Sequence, residues 1–348
     1  MTIEIEALDT LIFQDGKPFD KSSDNWGSSL VLPTPSTLYG ALRATYFSNY
    51  PNELSKANEA DDPTKELKIN FISLEYKGNL LFRLPQDCVK LNKEVITLDL
   101  EENRLTSNPL KYIFSSKKDV ESLDSGYLKK GNLKKYLLDK KQGLSFEKEE
   151  KLIIRESKIG IGLNRKTKNT QEGLIYRVEM LRYKKDLKIV VDFEGLDLVD
   201  SGLIKLGGEA KGVTYQKINN LEIPQIKKIT NNIFKLYFLT PAIFDNGWYP
   251  SWIDKENDFI GELNGFKLKL IASAIGKHQS IGGFDIKKRE PKKMMKAVPM
   301  GSVYYFEILE GDRDKVVEAF NLSLISDNKQ EEGYGLVMVG DVKKECIK

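Results

Sequence analysis

Two cysteines, Cys88 and Cys346, and a single histidine, His278, are all that 348 residues hold of these two types. The cysteines stand far apart without a partner motif, which excludes a disulfide framework and a cysteine-based zinc site. One histidine excludes a His-rich metal site and a Cys–His nucleophile pair. No G-x-x-x-x-G-K-[ST], G-x-S-x-G or H-E-x-x-H occurs, and "GIGLNR" and "GYGLVM" both lack the third glycine of a dinucleotide loop. Carboxylates are plentiful, yet no spacing among them singles out an acid–base pair. The N-terminal "MTIEIEALDTLIF" has no basic start, apolar block or small-residue cleavage site, and no apolar run approaches the about 20 residues that a membrane span needs. These absences lead to the expectation of a cytoplasmic chain with no membrane attachment and no cofactor.

What is present is ordinary in bulk. Apolar residues make up 40% and charged residues 30%, enough to bury a sizeable core. The length suggests about two domains. With 54 Lys+Arg against 51 Asp+Glu the net charge is +3, so the placement of charge carries more information than its sum.

"TIEIEALDTLIF" alternates with the period of a strand. A polar loop over residues 14–29 follows, and "LVLPTPSTLYGALRATYF" predicts a helix capped by Thr34 or Ser36. Residues 86–151 are rich in Lys, Asp and Ser, with paired lysines at 117–118, 129–130, 134–135 and 140–141. This stretch reads as an insertion of short surface helices. "KLIIRESKIGIGLNR" and "GLIYRVEMLRY" bracket a hydrophilic tip and predict a long hairpin over 152–183. "GLIKLGGEAKGVTYQKI" reads as a short helix broken at Gly207-Gly208 and followed by a strand. A second cycle begins near Asn232, with strands at "IFKLYFLTPAIF", "FKLKLIASAIG", "VYYFEIL" and "GYGLVMVGDV" and a helix at "GDRDKVVEAFN". The expected fold is therefore α+β, two tandem ferredoxin-like domains over 1–224 and 225–348, each an antiparallel sheet backed by helices. In that plan "EEGYG" (331–335) joins the last helix to the last strand, and its glycines let backbone pass close to another body.

Three groups of residues suit contact with RNA. Lys277, Lys287, Lys288, Arg289, Lys292, Lys293 and Lys296 form the densest basic run of the second half, and charge of this kind neutralises phosphate. Arg165, Lys166 and Lys168 stand at the hairpin tip with Asn164, Asn169 and Gln171, side chains able to bond phosphate, sugar and base edges. Trp26, Trp248, Tyr249 and Trp252 can stack on bases or fill a protein interface. Each has a plain counterpart: a solvated charged face, a polar loop, local aromatic packing. His278 beside basic groups could act as a general base on a 2′-hydroxyl, or simply hydrogen-bond.

The strings "QDGKPFD", "LPTPSTLYGALRA", "IGIGLNRKT", "EGLIYRVEMLR", "LGGEAKG", "LTPAIFDNGW", "VPMGSVYYFE" and "EGYGLVMVG" occur in this order. As a set they resemble the third-named subunit of the Cmr complex, the type III-B CRISPR effector, over about residues 1–342. The 86–151 stretch matches least, and "EEGYG" is similar to the glycine-rich loop of the wider repeat-associated RNA-binding superfamily, the RAMP proteins. The resemblance implies a non-catalytic subunit that holds the repeat-derived 5′ handle of the crRNA. Its implied neighbours are the large polymerase-like subunit and an adjacent RAMP subunit of the backbone, with target RNA reached only indirectly. It also implies RNA contacts at Asn164, Arg165, Lys166 and Lys168, at Lys211 beside Gly207 and Gly208, and at Gly333, Tyr334 and Gly335, whose amides would meet phosphate or base edges. Lys17, Trp26, Arg43, Lys277, His278, Gln279, Lys287, Lys288 and Arg289 complete the set. The rival readings are a RAMP-type endoribonuclease using His278, a protein–protein adaptor without RNA contacts, and a cousin from type III-A or III-D systems.

Overall fold

The structure is a computed structural model describing residues 1–14, 16, 26–27, 29–92, 94–104, 106–123, 125–141, 143–163, 167, 169–285 and 290–347; for 26–27, 161–163, 170–176 and 284–285 it describes the backbone alone. Of the sequence-predicted site residues, Lys17, Asn164, Arg165, Lys166, Lys168, Lys287, Lys288 and Arg289 lie outside the described residues, as does the side chain of Trp26.

The architecture is mixed α/β and mostly antiparallel. The first sheet orders its strands 146–148, 126–129, 79–83, 68–76, 187–194, 2–7, 212–218 and 201–205, every neighbour antiparallel. The opening strand Thr2–Ala7 turns Ile3 and Ile5 inward, and its polar partners face out, as its alternation requires. Helix α1 (Pro35–Asn49) covers this sheet. Thr34 caps it by accepting from the Thr37 amide, Pro35 sits at its first turn, and Leu38, Ala41, Leu42 and Thr45 form its buried stripe. A second sheet runs 253–254, 260–263, 266–274, 303–310, 233–238 and 337–341, again antiparallel throughout. The hairpin Ile153–Leu163 with Thr170–Tyr183 stands apart as a third sheet, flanked in parallel by Trp26–Gly27.

Two sequence expectations need correction, and the last helix is found where expected but short. Residues 86–151 hold short strand pairs, 88–91 with 94–97 and 99–102 with 112–115, and one helix, α2 (Lys130–Leu137). They are not a surface appendage: Leu133, Tyr136 and Leu137 are fully buried, in the core that the second sheet also fills. Strands of three or four residues are shorter than any window in which period can be read, so the lysines at their ends dominated the pattern. Residues Ser201–Lys205 form an edge strand, not a helix; only Ile204 is buried, leaving no alternation to see. The last helix is brief, a 3-10 turn Arg313–Lys315 and α3 (Val316–Phe320), with Asp312 accepting from the Asp314 amide.

Candidate nucleic-acid interface

The segments singled out from sequence are far apart along the chain, and four of them meet where the two sheets adjoin. The first loop is pinned at both ends: the Phe13 amide donates to Ser29 Oγ at 2.8 Å and the Leu30 amide to the Phe13 carbonyl at 2.8 Å. Leu11 exchanges both backbone bonds with Leu181, which ties the approach to this loop to the hairpin. On its far side the Gly16 amide donates to the Ser280 carbonyl at 2.9 Å, tying the loop to the second half.

The Gly207-Gly208 turn closes against the same place. Gly207 has φ +77°, and a Cβ there would overlap the Ile12 carbonyl oxygen, so only glycine fits without displacement. The Gly208 amide then donates to that carbonyl at 2.9 Å. Lys158 of the hairpin pairs with Glu209 at 2.7 Å, and Lys211 lies 3.6 Å from Asp9. Lys211 is thus weakly held near the surface, at the foot of the hairpin.

The glycine-rich loop takes a different part. Tyr334 is fully buried with Ile243, Ile281 and Ala297, and its hydroxyl lies 3.1 Å from Ser36 Oγ on α1. Burial pushes its pKa up to about 12, against smaller opposing effects of Ser36 and Thr34. The expectation that these amides meet phosphate or base edges is corrected: Gly333 donates to Gln330 at 2.8 Å, Tyr334 to Lys329 at 3.4 Å and Gly335 to Pro241 at 2.7 Å. Both glycines have positive φ, and a Cβ on Gly335 would overlap the Ser326 amide nitrogen. The other body that the loop approaches is this chain's own first half. Arg43 is likewise committed, donating to Thr64 Oγ1, Asn58 Oδ1 and Asp62 Oδ2 and so folding residues 58–64 onto α1.

Between the halves lies a cleft of about 460 Å³. One side carries Arg83, Glu149 and Arg155; the other is the backbone of Gly276–Ser280 with Lys277 and His278 exposed at the rim. Glu149 sits between two guanidinium groups, 3.0 Å from Arg83 and in contact with Arg155, which also pairs with Glu179 and donates to the Ser29 carbonyl at 3.2 Å. Burial works against the Arg83 charge, and Tyr127 and Glu149 outweigh it. Gln279, half-buried, pairs with Ala297 across a two-stranded ribbon. Trp248 and Trp252 pack inward, on Phe259 and Phe306. Arg83, Gln86, Glu149 and Arg155 went unnoticed in the sequence, since they come from a strand end, a turn, a 3-10 turn within a charged run and a long strand, with no common spacing.

The arrangement offers cations, amides and a walled slot, the equipment of binding. Among the described residues no three His, Cys, Asp or Glu come together as metal ligands. Both cysteine thiols are buried with raised pKa values, which disfavours a thiolate nucleophile.

By its match to a family profile the chain is a CRISPR-associated protein. The profile of one such group, described as CRISPR-associated protein (Cas_Cmr3), matches residues 3–342, and the chain belongs to that family. A relative described as CRISPR system CMR subunit Cmr3, from Saccharolobus solfataricus, is 22% identical over 317 residues, covering 88% of this chain and 86% of the relative. Among solved structures, the fold is similar to a chain of the type III-B Cmr-beta complex bound to cognate target RNA, with a TM-score of 0.53, 18% identity and coverage of 88% and 86%. The same assembly with target RNA and AMPPnP gives a TM-score of 0.52 at 18% identity, with coverage of 88% and 86%.

Proposed function

We propose that the chain is a non-catalytic RNA-binding subunit of a type III-B CRISPR effector complex, acting in the cytoplasm in antiviral defence. In this reading it holds the repeat-derived 5′ handle of the crRNA and docks the large polymerase-like subunit and an adjacent RAMP subunit. The observation that supports it best is the meeting of the first loop, the hairpin foot, the Gly207–Lys211 turn and the 276–281 segment at one seam. The hairpin tip, with Asn164, Arg165, Lys166 and Lys168, and the basic segment with Lys287, Lys288 and Arg289 adjoin these segments in the sequence and complete the proposed RNA-binding set.

The reading also takes residues 1–224 and 225–348 as two ferredoxin-like units. The strand orders support it: 212–218, 2–7, 187–194, 68–76 in the first and 337–341, 233–238, 303–310, 266–274 in the second both follow fourth-first-third-second. Each would retain one of the two helices of that plan, α1 in the first and α3 in the second.

The test is to co-express the chain with its complex partners, purify the assembly and sequence the 5′ ends of the RNA it carries. One uniform repeat-derived end is expected, and Arg165→Ala with Lys211→Ala should weaken RNA retention and flatten its salt dependence. Unchanged handle binding in that double variant would sink the proposal. Cleavage of precursor RNA abolished by His278→Ala would replace it with the endoribonuclease reading, which the exposed position of His278 on the cleft rim supports.

A further inference from the structure

We infer that the seam cleft is a pocket for one nucleotide, taking a base between the halves and its phosphate at the Lys277–His278 rim; this rests on the RNA-binding reading. The cations of the cleft fall into two kinds. Arg83 and Arg155 are spent on Glu149, Glu179 and Ser29 and serve to fix the wall. Lys277 and His278 are exposed, and among the described residues neither has a hydrogen-bond or ion-pair partner. Two donors so placed, with nothing of the protein to bond, suit a phosphate oxygen.

The interior suits a base. Leu30, Pro299 and Met300 supply half-buried apolar surface, and the Arg83 guanidinium is stacked 5.3 Å from the Tyr127 ring centroid, making a flat and rigid boundary. Glu149 does not repel a phosphate, because two guanidinium groups neutralise it. Gln86 crosses the seam: a methyl on Gly276 would come within 3.2 Å of its amide, and that exposed amide has no partner among the described residues. An amide carries a donor and an acceptor, which is what reading a base edge needs. The volume of about 460 Å³ takes a whole nucleotide more readily than a base alone. Because Lys277–Ser280 belong to one half and Arg83–Gln86 to the other, an occupant would bridge both.

The same chemistry is offered by a nucleotide within an RNA chain and by a free mononucleotide, and the experiment separates them. The assembled complex carrying its RNA is probed with dimethyl sulfate, wild type against Gln86→Ala, Lys277→Ala and His278→Ala, all exposed residues whose loss should leave the melting temperature unchanged. The full-length chain is titrated in parallel with adenosine monophosphate. The expected result is one nucleotide shielded in the wild type and reactive in the variants. RNA affinity should fall about tenfold in Gln86→Ala, and Lys277→Ala should lower the salt slope by about 0.7. RNA that stays bound with unaltered reactivity in all three variants overturns the pocket and leaves the RNA-binding reading standing. If the wild type carries no RNA but binds adenosine monophosphate in a Lys277-dependent way, the pocket stands as a free-nucleotide site and the RNA reading falls. Binding of neither overturns both.

Discussion

Lys235 and Asp139 show how much of this molecule is held by a few buried groups. Lys235 is fully buried, its Nζ has no hydrogen-bond partner among the described residues, and it lies 3.6 Å from Asp139 and 3.7 Å above the Tyr136 ring. The carboxylate and the rings of Tyr136 and Tyr305 compensate its desolvation. Asp139→Asn should therefore cost about 3–5 kcal/mol in denaturant unfolding at neutral pH. Burial by itself would raise the Asp139 pKa, but Lys235, the Cys346 thiol and the Lys343 amide hold it below 3.8. A depressed carboxylate contributes stability above its unfolded pKa and loses it as pH falls through the folded one, so the wild type should weaken below about pH 4. Asp139→Asn should lack that component of the acid limb, and an identical limb in both proteins would refute the assignment. Gly335→Ala tests a different force. Its positive φ and the overlap with Ser326 predict a loss of about 2–4 kcal/mol, measured by the same unfolding curve.

Elements differ in what they ask of their neighbours. α1 brings its own cap and buried stripe, whereas the 58–64 loop depends on Arg43. Arg43→Ala should release that loop to proteolysis and cost about 1–3 kcal/mol, with RNA affinity unchanged. Weakened RNA binding without loss of stability would return Arg43 to the interface. Such elements explain what could be read in advance. The Thr2–Ala7 alternation, the Thr34 cap, the hairpin flanks and the apolar runs 233–238 and 303–310 carry their period within themselves. The strands inside 86–151 do not: each is only three or four residues long, and although 88–91 pairs with nearby 94–97 and 99–102 with 112–115, strand 126–129 is set by the distant 79–83. Lys235 hid inside "IFKLYF", where one charge among apolar residues looks like the solvent side of a strand. The cleft was illegible for a similar reason. Arg83, Glu149, Arg155 and Lys277 are brought together by sheet order, and no spacing along the chain foretells it.

One face of the first sheet packs with α1 in a core of its own, while the other shares its interior with the second sheet. Phe71 and Val190 of the first share one core with Phe234, Leu236 and Phe306 of the second, and α2 packs against the last strand. Asp87, fully buried, accepts from Tyr136 at 2.8 Å and from Tyr305 at 2.6 Å, joining the middle segment to the second sheet by a polar bond that neither could satisfy alone. Calorimetry should then show one cooperative transition, and a fragment of residues 1–224 should be unfolded by circular dichroism. Two resolved transitions would mean that the shared core is less continuous than its packing. The position of strand Val337–Asp341 has a further consequence. Its Val337, Met338 and Val339 are fully buried beside strand 233–238, from which they are separated by about a hundred residues of chain. Until that distant segment docks, strand 233–238 keeps an open edge, so the second sheet closes only after the rest of its strands have been laid down.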